Sequence, residues 1–205
     1  MIVMPKANGT LEDLRDKYNI QKKHIIKIIL ALGDILKCIV NNKINYFDIK
    51  PENILYQCNS NYIKIWLGDV GSFLLGPPEI PIYNMWLSVH LFYNEYNINL
   101  IEPSDHNIFP KFYTFYLILL YFSLNKDYKE EIKSIIKITN QHEYIKNFIK
   151  LIIKSMTDPN ISIIIKTIFQ RYLDEGKRLK FNYKQIFKNS FLDFEDFLTE
   201  LKKEL

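Results

Sequence analysis

Two short segments, Tyr46-Phe47-Asp48-Ile49-Lys50-Pro51-Glu52-Asn53 and Gly68-Asp69-Val70-Gly71, hold the residue types best able to do chemistry in this 205-residue chain. A carboxylate such as Asp48 can orient a hydroxyl and accept its proton. Lys50 lies two residues on, so in an extended loop it projects to the same side and can stabilise negative charge there. Asn53 and Asp69 offer the oxygen donors that a hard cation such as Mg²⁺ takes, which makes them the candidate metal residues. Chance occurrence of Asp-x-Lys-Pro-Glu-Asn in a chain this long is on the order of one in several thousand, so an incidental polar turn is set aside.

Other chemistries find less support. His24, His90, His106 and His142 are widely separated and share no ligand spacing with Cys38 or Cys58, which argues against a zinc site. Two cysteines do not staple a domain of this size, and no secretory signal is evident near Met1; an intracellular, cytoplasmic location is expected. The net charge of +4 is spread along the chain without a basic run, so no nucleic-acid partner is expected. The most apolar stretch, residues 112–124, is shorter than the roughly 20 residues of a spanning helix and reads as a buried core helix, with no membrane partner expected.

The elements that must position these groups follow from periodicity. Thr10, with Asp13 three residues later, predicts a helix from Leu11. Ile25, Ile28, Ile29, Leu32, Leu36 and Ile39 form one apolar stripe and predict a long helix over residues 21–40, closed by a polar turn at 41–43. Residues 53–57 and 62–67 read as two short strands joined by a turn at 59–61. Prolines interrupt residues 71–110, where only 83–96 suggest a short helix. The remainder reads as helices over 112–124, 128–138, 143–156 and 161–174, with a last amphipathic stretch over 183–203. The fold class is therefore mainly α with a small β-hairpin. At 48% hydrophobic residues there is ample apolar surface for one core.

Asp48, Asn53, Asp69 and Gly71, in that order and on either side of a strand pair, resemble the catalytic loop and metal-binding loop of the eukaryotic-type serine/threonine protein kinases. The resemblance spans about residues 2–172 and is strongest over 46–71. It implies the C-terminal lobe of that α+β fold, divided as residues 1–9 hinge-like segment, 10–175 lobe and 176–205 helical extension. It further implies ATP and Mg²⁺ as ligands and a protein hydroxyl as phosphate acceptor. Asp48 would be the base, Lys50 would steady the transferred phosphate, and Asn53 and Asp69 would hold the metal. Pro5 and Ala7 would face adenine through the backbone, with Leu55 beneath the ring. Met156-Thr157-Asp158-Pro159 resembles the Asp-Pro turn late in the lobe.

The chain departs from that pattern at identifiable places. No Gly-rich loop, strand lysine or partner glutamate stands ahead of the hinge-like segment, so an active form is expected to need an N-terminal lobe from elsewhere, as a separate lobe or a dimer. Tyr46-Phe47 replace the usual His-Arg, which removes the cation that would answer a phosphorylated activation loop. An Ala-Pro-Glu motif is not evident, and its arginine partner aligns with Ser162. The Asp that opens the central helix aligns near Lys111. A non-catalytic pseudokinase module binding a protein partner, or a truncated gene product, is the alternative expectation.

Overall fold

The computed structural model describes residues 6–42, 44–45, 49–58, 62–69, 74–75, 108–179, 186 and 189–205. Strand β1 (Gly9–Thr10) runs directly into helix α1 (Leu11–Lys17). Thr10 Oγ1 accepts the Asp13 N–H at 3.2 Å, and Asp13 Oδ2 accepts the Thr10 N–H at 3.0 Å. This reciprocal cap starts the helix where the sequence places it. Helix α2 (Lys22–Asn41) follows, and every member of its predicted stripe from Ile25 to Ile39 is buried. It stops as expected: Asn42 donates backbone and side-chain N–H groups to the Cys38 carbonyl at 3.1 and 2.7 Å.

Four strands then fold back on one another. Strands β3 (Ile54–Cys58) and β4 (Ile63–Leu67) form an antiparallel hairpin in which Ile54 opposes Leu67 and Cys58 opposes Ile63. β1 joins on the other side of β3, giving the order β1-β3-β4. Outside this hairpin, β2 (Ile44–Asn45) pairs antiparallel with β5 (Leu74–Leu75). Alternation in β3 puts Ile54 and Tyr56 into the core and leaves Leu55 and Gln57 half-buried on the other face. The expected turn at 59–61 lies outside the described residues.

The helical remainder is organised by α3 (Ile108–Leu124), in which every residue from Tyr113 to Leu124 is buried. A helix apolar all round must be enclosed on all sides. It begins four residues before the predicted start at 112, with Pro110 in its first turn. Proline is tolerated there because first-turn N–H groups have no acceptor within the helix. Around α3 pack α4 (Lys129–Ile135), α5 (Gln141–Met156), α6 (Ile163–Arg178) and α7 (Phe194–Lys202). Phe122 stacks on Phe169 at 5.7 Å, and Phe148 meets Phe115 and Phe169 edge-on at 5.4 and 5.8 Å. These pairs tie α3 to α5 and α6 through offset and edge-to-face ring geometry.

The predicted single amphipathic stretch over 183–203 is corrected. Residues 191–193 are not helical, and Asp193 takes extended backbone (φ −61°, ψ 150°) with its carboxylate 3.9 Å from Lys111 Nζ. Only α7 after it is a regular helix. α6 also continues without a break through residue 176, where the sequence reading places a boundary. The short helix expected over 83–96 lies outside the described residues. Among the described residues no helix is long and apolar enough to cross a membrane.

Candidate functional site

Eight residues separate β2 from β3, and six separate β4 from β5. Because β2 pairs with β5 and β3 with β4, both connections link the same two ladders. One carries the predicted base, lysine and metal-side asparagine; the other carries the metal-side aspartate. The sequence analysis placed both groups next to a strand pair. The outer β2–β5 ladder is visible only in the fold.

Within the first loop, Ile49 and Pro51 are buried and anchor the chain. Lys50 is half-buried between them, and its carbonyl accepts the Asn53 N–H at 2.9 Å to close a 3₁₀ turn, Pro51–Asn53. α1 packs against this turn, so the capped helix that follows the hinge-like segment also braces the loop. Proline at the start of the turn fixes φ where a tight bend needs it.

The two loops meet at Gly68. Its N–H donates to the Asn53 carbonyl at 2.6 Å, continuing the β3–β4 ladder one residue past Ile54 and Leu67. A Cβ on Gly68 would stand 3.2 Å from the Asn53 carbonyl oxygen and 3.8 Å from Leu55 Cγ. That spacing is tighter than a side chain ordinarily accepts, so glycine permits the approach. Asp69 follows in left-handed backbone with φ 48°, the positive φ found here outside glycine among the described residues. Such a conformation costs free energy and persists where the surroundings impose it; it is concentrated at functional sites. Asp69 is exposed.

Asn53, Gly68, Asp69 and Leu55 are thus brought to one end of the hairpin, with Lys50 at the entry to the turn. Ala7 goes elsewhere: the Asn8 N–H donates to the Tyr56 carbonyl at 2.8 Å, and Asn8 Oδ1 accepts the Cys58 N–H at 2.9 Å. This register carries Ala7 toward Cys58, away from Asn53. Asp48 and Pro5 lie outside the described residues. Among the described residues no three His, Cys, Asp or Glu side chains cluster as a metal cage. The donor set that is present, an amide and an exposed carboxylate on adjacent loops, suits Mg²⁺, which is commonly held by one or two carboxylates together with substrate phosphates.

Two positions that depart from the kinase pattern have local solutions. Lys111, in place of the helix-opening aspartate, faces Asp193. Ser162, in place of the arginine, is fully buried and caps α6: its Oγ accepts the Ile165 N–H at 3.3 Å and donates to Glu204 Oε1 at 2.6 Å. At the Asp-Pro turn, Asp158 accepts the Tyr128 hydroxyl and the Asn160 N–H, each at 2.8 Å.

One concavity escaped the sequence reading. A cleft of about 250 Å³ opens at the other end of the hairpin, between the α1–α2 connection and Cys58, Tyr62 and Ile63. Its residues come from α1, α2, β3, β4 and the α1–α2 connection with no shared motif, so no sequence signal marks it. Compared with models of protein families, with curated proteins and with solved structures, the chain matches none.

Proposed function

We propose that this chain is a serine/threonine protein kinase-like lobe that transfers phosphate from ATP to a protein hydroxyl when a further lobe completes its nucleotide site. The observation that supports this reading most is the pair of loops that sets Asn53 beside Gly68-Asp69, with Asp69 held in left-handed backbone.

In this reading Asn53 and Asp69 hold the metal, which when bound neutralises polyphosphate charge. Asp48 orients the acceptor hydroxyl and takes its proton, and Lys50 steadies negative charge on the group in transit. Leu55, on the half-buried face of β3 beside Gly68, offers an apolar floor for adenine. The glycine-rich cover and phosphate-binding lysine come from outside these 205 residues. A second reading, a non-catalytic module that binds a protein partner, is favoured by Tyr46-Phe47 and by the Lys111–Asp193 pair where the catalytic loop would otherwise be braced.

Calorimetric titration with Mg²⁺ and ATP separates the two. The enzyme reading expects saturable binding that Asp69→Ala weakens about tenfold or more. It also expects Asp48→Asn to abolish phosphate transfer while the circular dichroism spectrum is unchanged. No detectable nucleotide binding at millimolar ATP overturns the enzyme reading and leaves the module.

A further inference from the structure

The cleft at the far end of the hairpin is a built concavity. Leu14, Ile20, Ile28 and Ile63 line its apolar part, and Tyr18, Tyr56 and Tyr62 stand around it. No carboxylate lines it, whereas His24 and Lys27 do. Lys64 Nζ lies 5.4 Å from the Tyr62 ring centroid at the same end. The cleft also faces the start of α2, whose first turn has no acidic residue to oppose the partial positive charge of the helix terminus.

Tyr56, only 4% exposed, also lines the cleft. Burial pushes its phenol up from the ordinary tyrosine value, so the hydroxyl remains a donor at neutral pH. A phenol donor at the cleft wall offers a hydrogen bond to an acceptor on an entering ligand.

We propose that this cleft docks an acidic peptide segment of a partner protein, one large apolar side chain entering among Ile20, Ile28 and Ile63 while its flanking carboxylates meet Lys27, His24 and Lys64. Charge complementarity selects the sign of the partner, since the rim is cationic and its lining has no carboxylate. Openness selects a peptide over a small molecule: Tyr18 is 59% exposed and Tyr62 41%, so the walls do not enclose a free ligand. Small-molecule sites typically bury about 70–90% of the ligand surface. A backbone carbonyl or carboxylate of the peptide accepts from Tyr56. The proposal stands apart from the kinase-like reading, because the cleft and the loop pair occupy opposite ends of β3 and β4.

The test is amide NMR of the full-length chain titrated with synthetic peptides in which Phe, Leu or Trp is flanked on each side by two glutamates. A second set carries lysines in place of the glutamates, and phenylacetate serves as a small aromatic carboxylate. Saturable shifts confined to residues 18–28 and 56–63 are expected with the acidic set alone. Lys27→Glu, at an exposed position, should weaken binding about fivefold or more. Tyr56→Phe should weaken it about threefold while keeping the packing. Absence of saturation with every acidic peptide at millimolar concentration overturns the proposal. So does equal binding of the lysine set, indifference to Lys27→Glu, or phenylacetate binding as tightly as the peptides.

Discussion

Glu204, next to the last residue, gathers three donors from two distant elements. Its Oε1 accepts the Ser162 hydroxyl at 2.6 Å and the Ile164 N–H at 3.1 Å, and Lys22 Nζ stands 3.1 Å from Oε2. Burial pushes this carboxyl up, but the Ser162 hydroxyl, the Ile164 N–H and the Lys22 ammonium together hold it below the usual carboxylate value. A carboxyl whose folded pKa is depressed contributes stability that is fully present above its unfolded value, about 4.3, and is lost as pH falls through the lower folded value. Glu204→Gln should therefore cost roughly 1–3 kcal/mol at pH 7, where charge-assisted bonds are lost. The gap to the parent chain should narrow as the pH is lowered through the acid range; urea denaturation at pH 7 and pH 3 measures it. Nothing in the sequence marks this residue: Ser162, Glu204 and Lys22 meet only because three elements converge. Thr10 and Asp13 were legible because both partners of that cap lie within one turn.

At the scale of elements, α2 and α7 approach closely at Gly33. A Cβ there would overlap the Leu198 side chain, so glycine keeps a groove open in an otherwise apolar helix face. Gly33→Leu should lower stability by roughly 1–3 kcal/mol through overpacking. The same change in a Leu198→Ala background should cost less, giving a favourable coupling in a double-mutant cycle read by thermal or urea denaturation. The stripe of α2 could be read from sequence because an amphipathic helix repeats its pattern every turn. The start of α3 and the break at 191–193 could not, since one depends on where proline falls within a first turn and the other on a contact between Asp193 and Lys111. The paired loops were half legible. Asp48, Lys50, Asn53 and Asp69 announce themselves by type and order, but the outer β2–β5 ladder is two residues long on each side and carries no pattern of its own.

For the whole molecule, the last segment belongs to the core. Phe191, Phe194, Phe197, Leu198 and Leu201 are all buried, and α7 packs against α2, α3 and α6. Burying each such side chain contributes about 1.5–3 kcal/mol, and the sum rivals the roughly 5–15 kcal/mol net stability of a domain. Removing residues 191–205 should therefore abolish cooperative unfolding, seen as loss of a sigmoidal melt and of near-ultraviolet dichroism.

The clasp between β2 and β5 has a further consequence. Ile44 lies opposite Leu75, so the chain enters the hairpin unit and leaves it through neighbouring positions, about 5 Å apart in an antiparallel pair. This stem is not the unit's sole attachment: β1 pairs along β3, α1 packs on the Pro51–Asn53 turn and α2 packs on β4. A hairpin grafted between these two ends therefore has to return apolar side chains to the positions of Ile54, Tyr56 and Ile65, or α1 and α2 lose the surface they pack on.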